Sequence, residues 1–164
     1  MALSKIGLID PTAITGETAL AAQPAATDEI VLSDAGTLKR LDIKHIQNTP
    51  SFFASLSSSA SVANGTYTKI TFDNEVYDSD STFASGRFTP GVAGKYYIGA
   101  KQRIDTSTDA SATILSIYKN GSSFQRTRFT LDNAEEYFMG CVLDLDDDDY
   151  VEIYAYQNTG GSVN

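Results

Sequence analysis

The amino-acid sequence predicts an all-β domain, a sandwich or a barrel, on three observations. Apolar and polar residues alternate with period two in several runs: Tyr96, Ile98 and Ala100 oppose Lys95, Tyr97 and Lys101; Tyr137, Met139, Cys141, Leu143 and Leu145 share one face; Val151, Ile153 and Ala155 oppose Glu152, Tyr154 and Tyr156. Turn chemistry separates these runs at short intervals, with Pro90-Gly91 suited to a type II turn and Asn120-Gly121 to a type I′ hairpin. No stretch carries the period of an amphipathic helix.

In chain order, residues 1–27 are rich in Ala, Thr, Gly and Pro, and Pro11, Gly16 and Pro24 oppose a stable helix. They read either as a disordered tail or as an extended docking arm whose short apolar patches, Ile6 to Ile9 and Leu20 to Ala22, order on a partner. Residues 28–47 form a small β-hairpin unit. Glu29 to Ser33 reads as a strand, Asp34-Ala35-Gly36 as the turn, Thr37 to Leu41 as the returning strand, and Asp42 caps a helical turn over Ile43 to Gln47. A two-strand hairpin buries too little to stand alone, so it is expected to pack on a copy of itself or on another protein.

Residues 48–164 carry the main domain. After the break at Asn48-Thr49-Pro50, strands are expected over Ser51 to Leu56 and Thr66 to Phe72, and Asp73 to Ser85 reads as polar loop. Arg87 to Thr89 leads through Pro90-Gly91 and a bend at Gly94 into a long strand from Lys95 to Ile104. Asp105 to Ser111 is a loop. Thr113 to Lys119 and Phe124 to Leu131 pair across Asn120-Gly121, with Thr113, Leu115 and Ile117 on one face. Asp132 to Glu136 is a loop, and Tyr137 to Leu145 and Tyr150 to Tyr156 flank the acidic turn Asp146 to Asp149.

Composition narrows the function. The chain has 164 residues, 41% hydrophobic and 10% aromatic, with nine tyrosines and eight phenylalanines. That is enough to bury a core in a domain of about 100 residues. Twelve basic and twenty-one acidic residues give a net charge of −9, which argues against nucleic acid as a partner, because phosphate binding needs a basic face. The single cysteine, Cys141, excludes an intrachain disulfide. No apolar run reaches the roughly 18 residues of a membrane span. Lys5 and Asp10-Pro11 spoil the N-terminus as a signal peptide, so a protein made in a cytoplasm is expected.

Two resemblances follow from particular residues. The hairpin unit is similar to small units near the start of many tailed-phage fibre and tail-associated proteins. From Phe52 to Gly160 the chain resembles the globular domain of complement component 1q, a jelly roll like that of tumour necrosis factor. The matching blocks are, in order, Phe52-Phe53-Ala54; Thr71 to Glu75 ahead of Tyr77; Gly86 to Pro90 with Ala93 to Tyr97; Leu115 to Gly121; and Gly140, Leu143, Leu145, Asp149 and Val151. The resemblance implies a trimeric jelly-roll sandwich that binds other molecules and performs no chemistry. Two departures stand out. Asp148 replaces a glycine usual in the family, and the family's last strand is absent. That strand lies between the first strand and the long strand after the Pro-Gly turn, so two sheet edges are left open. Either the jelly roll closes differently, or the sequence is a fragment, or another chain or the N-terminal arm fills the slot.

No catalytic constellation is legible. His45 is the only histidine and stands beside no nucleophile, and Cys141 falls on an inward face between Met139 and Leu143. No metal site is expected from ligand spacing; the run Asp146, Asp147, Asp148 and Asp149 fails the EF-hand pattern. It reads as a solvated acidic turn or as a partner- or cation-binding turn that takes calcium where three copies converge. Tyr97, Tyr154 and Tyr156 are the candidates for a trimer interface, because alternation turns them outward and tyrosine suits interfaces. The function expected is that of a virion structural protein. It is a homotrimeric tail fibre or tail-associated adhesin, docked to other virion proteins through residues 1–47 and contacting a host surface glycan or outer-membrane component. The alternatives are a trimeric capsid decoration protein and, in another class, a soluble glycan-recognition protein.

Overall fold

The computed structural model describes residues 24–25, 27–43, 46, 50–104, 110–131 and 135–163. The chain divides into two compact units, Met1–Thr49 and Pro50–Asn164. In the first, β1 (Glu29–Asp34) pairs antiparallel with β2 (Thr37–Asp42). The turn forms where expected, with φ of 49° at Ala35 and 84° at Gly36. Arg40 and Glu29 pair at 2.9 Å across the strands, and Lys39 pairs with Asp34. Val31 and Leu38 remain 68% and 54% exposed, as expected of a hairpin too thin to bury them. The arm up to residue 23 and most of the expected helical turn lie outside the described residues.

The second unit is an antiparallel β-sandwich. Its strands are β3 (Phe52–Ser55), β4 (Thr68–Lys69), β5 (Asn74–Asp78), β6 (Phe83–Ala84), β7 (Arg87–Phe88), β8 (Gly94–Ile104), β9 (Ala110–Lys119), β10 (Ser122–Leu131), β11 (Glu135–Leu145) and β12 (Val151–Gln157). One sheet runs β10-β9-β12-β7-β6, with β4 also on β12. The facing layer is split into two pairs, β11-β8 and β3-β5. Period-two burial explains why the layers meet. Tyr96, Ile98 and Ala100 of β8 and Met139, Leu143 and Leu145 of β11 pack against Leu115 and Ile117 of β9, Val151 of β12 and Phe88.

The hairpin at Asn120-Gly121 is as its sequence dictates: both residues have positive φ, 51° and 75°. Gly121→Ala puts a Cβ in the left-handed region and is expected to cost about 1–2 kcal/mol, read as a lower urea midpoint at unchanged slope. Gly91 has the positive φ of the predicted type II turn, 67°. Gly86 serves another purpose. Its φ is 68°, and a Cβ there would lie 2.8 Å from the Ile70 carbonyl oxygen and 2.9 Å from the Thr71 Cα, so the backbone before β7 passes too close for any other residue.

Three expectations need correction. The polar stretch from Asp73 to Ser85 is not simple loop: it holds β5, which pairs with β3, and β6, which pairs with β7. β5 shows no burial pattern, because all of it except Asp78 is exposed. It is held by its ladder and by polar ties, with Asn74 Nδ2 donating to Ser55 Oγ at 2.8 Å. The Asp78 carboxylate then shapes the following loop by accepting from the Phe83 N–H (2.7 Å) and the Thr82 hydroxyl (2.9 Å). The strand expected over Thr66 to Phe72 shortens to β4, which meets β12 only at Tyr154 and Ala155. Gly94 makes no bend but opens β8.

Candidate functional site

The outward face of β8 and β11 is a flat apolar platform. The register sets Tyr97 opposite Val142, Gly99 opposite Gly140 and Lys101 opposite Phe138. Tyr97, Phe138 and Val142 are 64%, 61% and 59% exposed. The paired glycines make the platform flat. A Cβ on Gly99 would fall 3.1 Å from the Phe138 ring, and one on Gly140 only 2.3 Å from the Tyr97 hydroxyl, so both rings lie across bare backbone. Ion pairs close the two ends, Lys95–Asp144 at 2.7 Å and Lys101–Glu136 at 2.5 Å. Lys101 holds the Glu136 carboxyl below its ordinary value, and Lys95 does the same for Asp144. An apolar centre with a charged rim is the anatomy of a protein interface.

Tyr154 and Tyr156 do not join Tyr97. They belong to β12, in the other sheet, where they form an aromatic row with Tyr118 and Tyr67. Ring centroids are 4.0 Å apart for Tyr118–Tyr154 and 5.1 Å for Tyr67–Tyr156. Below this row Glu152, on the face expected to be open, is 4% exposed. Its Oε1 accepts from Lys69 Nζ at 2.7 Å and Arg87 Nε at 3.0 Å, while the Arg87 guanidinium lies 3.9 Å above the Tyr150 ring. Burial pushes the Glu152 carboxyl up, and the bonds and charges of Lys69 and Arg87 outweigh it, so the group sits below its ordinary value.

The acidic run does not act as a unit. Asp146, Asp147 and Asp148 are exposed, whereas Asp149 turns inward. Its carboxylate accepts from Lys119 Nζ at 2.6 Å, Asn120 Nδ2 at 2.5 Å and the Asp146 N–H at 2.8 Å. The Lys119 and Asn120 bonds, then the Asp146 N–H, lower its pKa to about 2. Asp149 thus ties the acidic turn to the Asn120 hairpin, and Tyr150 N–H donates to Asn120 Oδ1 at 2.9 Å. Among the described residues no group of three or more His, Cys, Asp or Glu side chains converges on a metal position. A folded pKa below the ordinary 3.8 gives stability that is complete above pH 4 and lost as pH falls through about 2. The melting-temperature gap between the natural protein and Asp149→Ala is therefore expected to be constant near neutrality and to close across that acid window.

His45 lies outside the described residues. Cys141 is partly buried against the main core, and burial raises its thiol pKa, which opposes thiolate chemistry. Alternation identified Tyr97 but left Phe138 and Val142 unnamed, although they fall on the same outward row of β11; the signal was the Gly140 between them.

A trench separates β3 from β8. One end, of about 140 Å³, is lined by Phe52 to Ala54 and Tyr97 to Ala100. A larger part, of about 550 Å³, is lined by Phe53 to Leu56 and Lys101 to Ile104, over a floor that includes Leu115, Ile153 and Ala155.

The second unit matches a solved structure. It is similar to the globular domain of zebrafish complement 1qA protein, with a TM-score of 0.54 and 18% sequence identity over 70% of this chain and 91% of that one. This likeness shows the fold, an all-β jelly-roll sandwich of the complement 1q type. No protein-family model and no curated protein matches the chain.

Proposed function

We propose that this chain is a homotrimeric, non-catalytic structural protein of a tailed-phage particle, working as a tail fibre or tail-associated adhesin. The observation that carries the assembly is the platform of Tyr97, Phe138 and Val142. Three large exposed apolar side chains sit side by side on a flat two-strand face with a charged rim. A second copy is its occupant. Residues 1–47 dock the trimer to other virion proteins, consistent with the hairpin unit's exposed Val31 and Leu38. The jelly roll then presents three equal surfaces to the host, so weak contacts to a glycan or outer-membrane component gain by avidity.

Light scattering tests the assembly: a mass near three times 17.6 kDa is expected at micromolar concentration, and a monomeric mass counts against it. Gold labelling of particles tests the location. Label on tails together with free protein that blocks adsorption supports the adhesin, label over the capsid without blocking supports a decoration protein, and no particle label removes the virion reading.

A further inference from the structure

We propose that the trench between β3 and β8 is a docking slot for one β-strand of another polypeptide, which enters antiparallel to both strands and completes the second layer of the sandwich. Consecutive residues of each strand line the trench, as happens when backbone edges, rather than one set of side chains, face a gap. Among the described residues β8 has β11 as its only ladder partner and β3 has only β5, so each strand leaves a row of peptide groups along the trench. The low-numbered residues of both strands line one end and the high-numbered residues the other, so β3 and β8 run the same way. A single strand entering in the opposite direction therefore makes antiparallel ladders on both sides. From Tyr97 to Ile104 the slot is about 25 Å long, room for a strand of about seven residues.

A second observation points the same way. Gln102, on the inward row of β8, lines the larger part of the trench, and both polar atoms of its amide are buried without a hydrogen-bond partner. An orphaned carboxamide offers two N–H donors and two acceptor positions, which suits a polar or backbone group of an incoming peptide and not an apolar ligand. The apolar floor asks for apolar side chains at alternate positions of that peptide. The inference does not depend on the trimer: the platform is the outward face of β8 and β11, and the slot is the free edge of β8.

The test tethers a probe strand to the full chain. An alternating Thr–Val heptapeptide is appended after Asn164 through a flexible Gly-Ser linker. Val163 packs on Val62 and Ile104 beside the trench, so the tether supplies the peptide at about millimolar effective concentration. Amide exchange at the trench-facing positions of β3 and β8 is expected to slow at least tenfold, and the melting temperature to rise. The same tail carrying a central proline, which lacks the N–H, gives neither effect. Equal behaviour of the two tails overturns the proposal. So does full protection of those amides in the untailed protein at a dilution where it is monomeric, which shows that the slot is already filled from within the chain. Equal protection by an apolar dye that the tail cannot displace also overturns it, in favour of a small-molecule pocket.

Discussion

Replacing Lys69 and Arg87 together by alanine is expected to destabilise the jelly roll by about 3–5 kcal/mol at neutral pH, because it strands a charged carboxylate in a nearly closed site. Glu152 is 4% exposed, and both of its cationic partners are removed. The larger Lys69 and Arg87 side chains are 28% and 46% exposed, so the reverse change, Glu152→Ala, leaves cations that water can reach and costs less. The pH dependence separates this cause from lost packing. In the natural protein the Glu152 pKa lies below its ordinary 4.5, so its contribution is present above that value and lost as pH falls through the lower folded value. In the double variant burial, eased only by the Tyr154 hydroxyl 3.5 Å from Oε2, is expected to raise the folded pKa above the unfolded one. The penalty is then full above the folded pKa and is relieved as pH falls toward the unfolded value. Urea unfolding of the two proteins at pH 7 and pH 4 should show the gap shrinking at the lower pH. A gap that stays constant would show that the cost comes from packing.

The double variant Tyr97→Ala, Phe138→Ala is expected to weaken self-association about a thousandfold, from about 2 kcal/mol for each central aromatic, and to leave a folded monomer. Both rings are mostly outside the core, and each lies on a glycine, so their loss opens no internal cavity. Sedimentation at graded concentrations reads the association, and circular dichroism reads the fold. The contrasting variant is Tyr154→Ala, on the other sheet. It is expected to leave the association unchanged; a comparable loss there would move the interface to the tyrosine row of β12.

The long strands were legible because both period-two alternation and turn chemistry mark them. β8 and β11 bury alternate residues across from a partner layer, β9 carries Thr113, Leu115 and Ile117 on its inward face, and Asn120-Gly121 admits little but a type I′ turn. β5 and β6 were not legible. In β5, Asn74 to Tyr77 face water on both sides, so no hydrophobic period exists to be read, and its pairing depends on β3, about twenty residues away; β6 is two residues, Phe83 and Ala84, paired with the neighbouring β7 and too short to show a period. The site was half legible for a related reason. Alternation places Tyr97, Tyr154 and Tyr156 outward, but it carries no information on which sheet a strand joins. Only the strand order shows that Tyr97 and the β12 tyrosines belong to different layers. The role of Asp149 was hidden in a run of like residues; its inward turn is set by Lys119 and Asn120, on the hairpin one strand away.

β12 is the last of the described strands and sits in the middle of its sheet, bonded to β9 on one edge and to β7 and β4 on the other. Its final residue, Gln157, is wholly buried and ties the chain's two distant parts together: its amide donates to the Val62 carbonyl at 2.9 Å and to Gly161 at 2.7 Å. Synthesis on the ribosome proceeds from the other end. A nascent chain that has reached Leu145 already carries β4, β7 and β9, yet it lacks the strand that joins them. Closure of the sheet is therefore expected to be a late step, since it joins residues nearly a hundred positions apart. A chain halted before β12 lacks Val151, Ile153 and Ala155 from its core and is expected to be more prone to aggregation than the finished one.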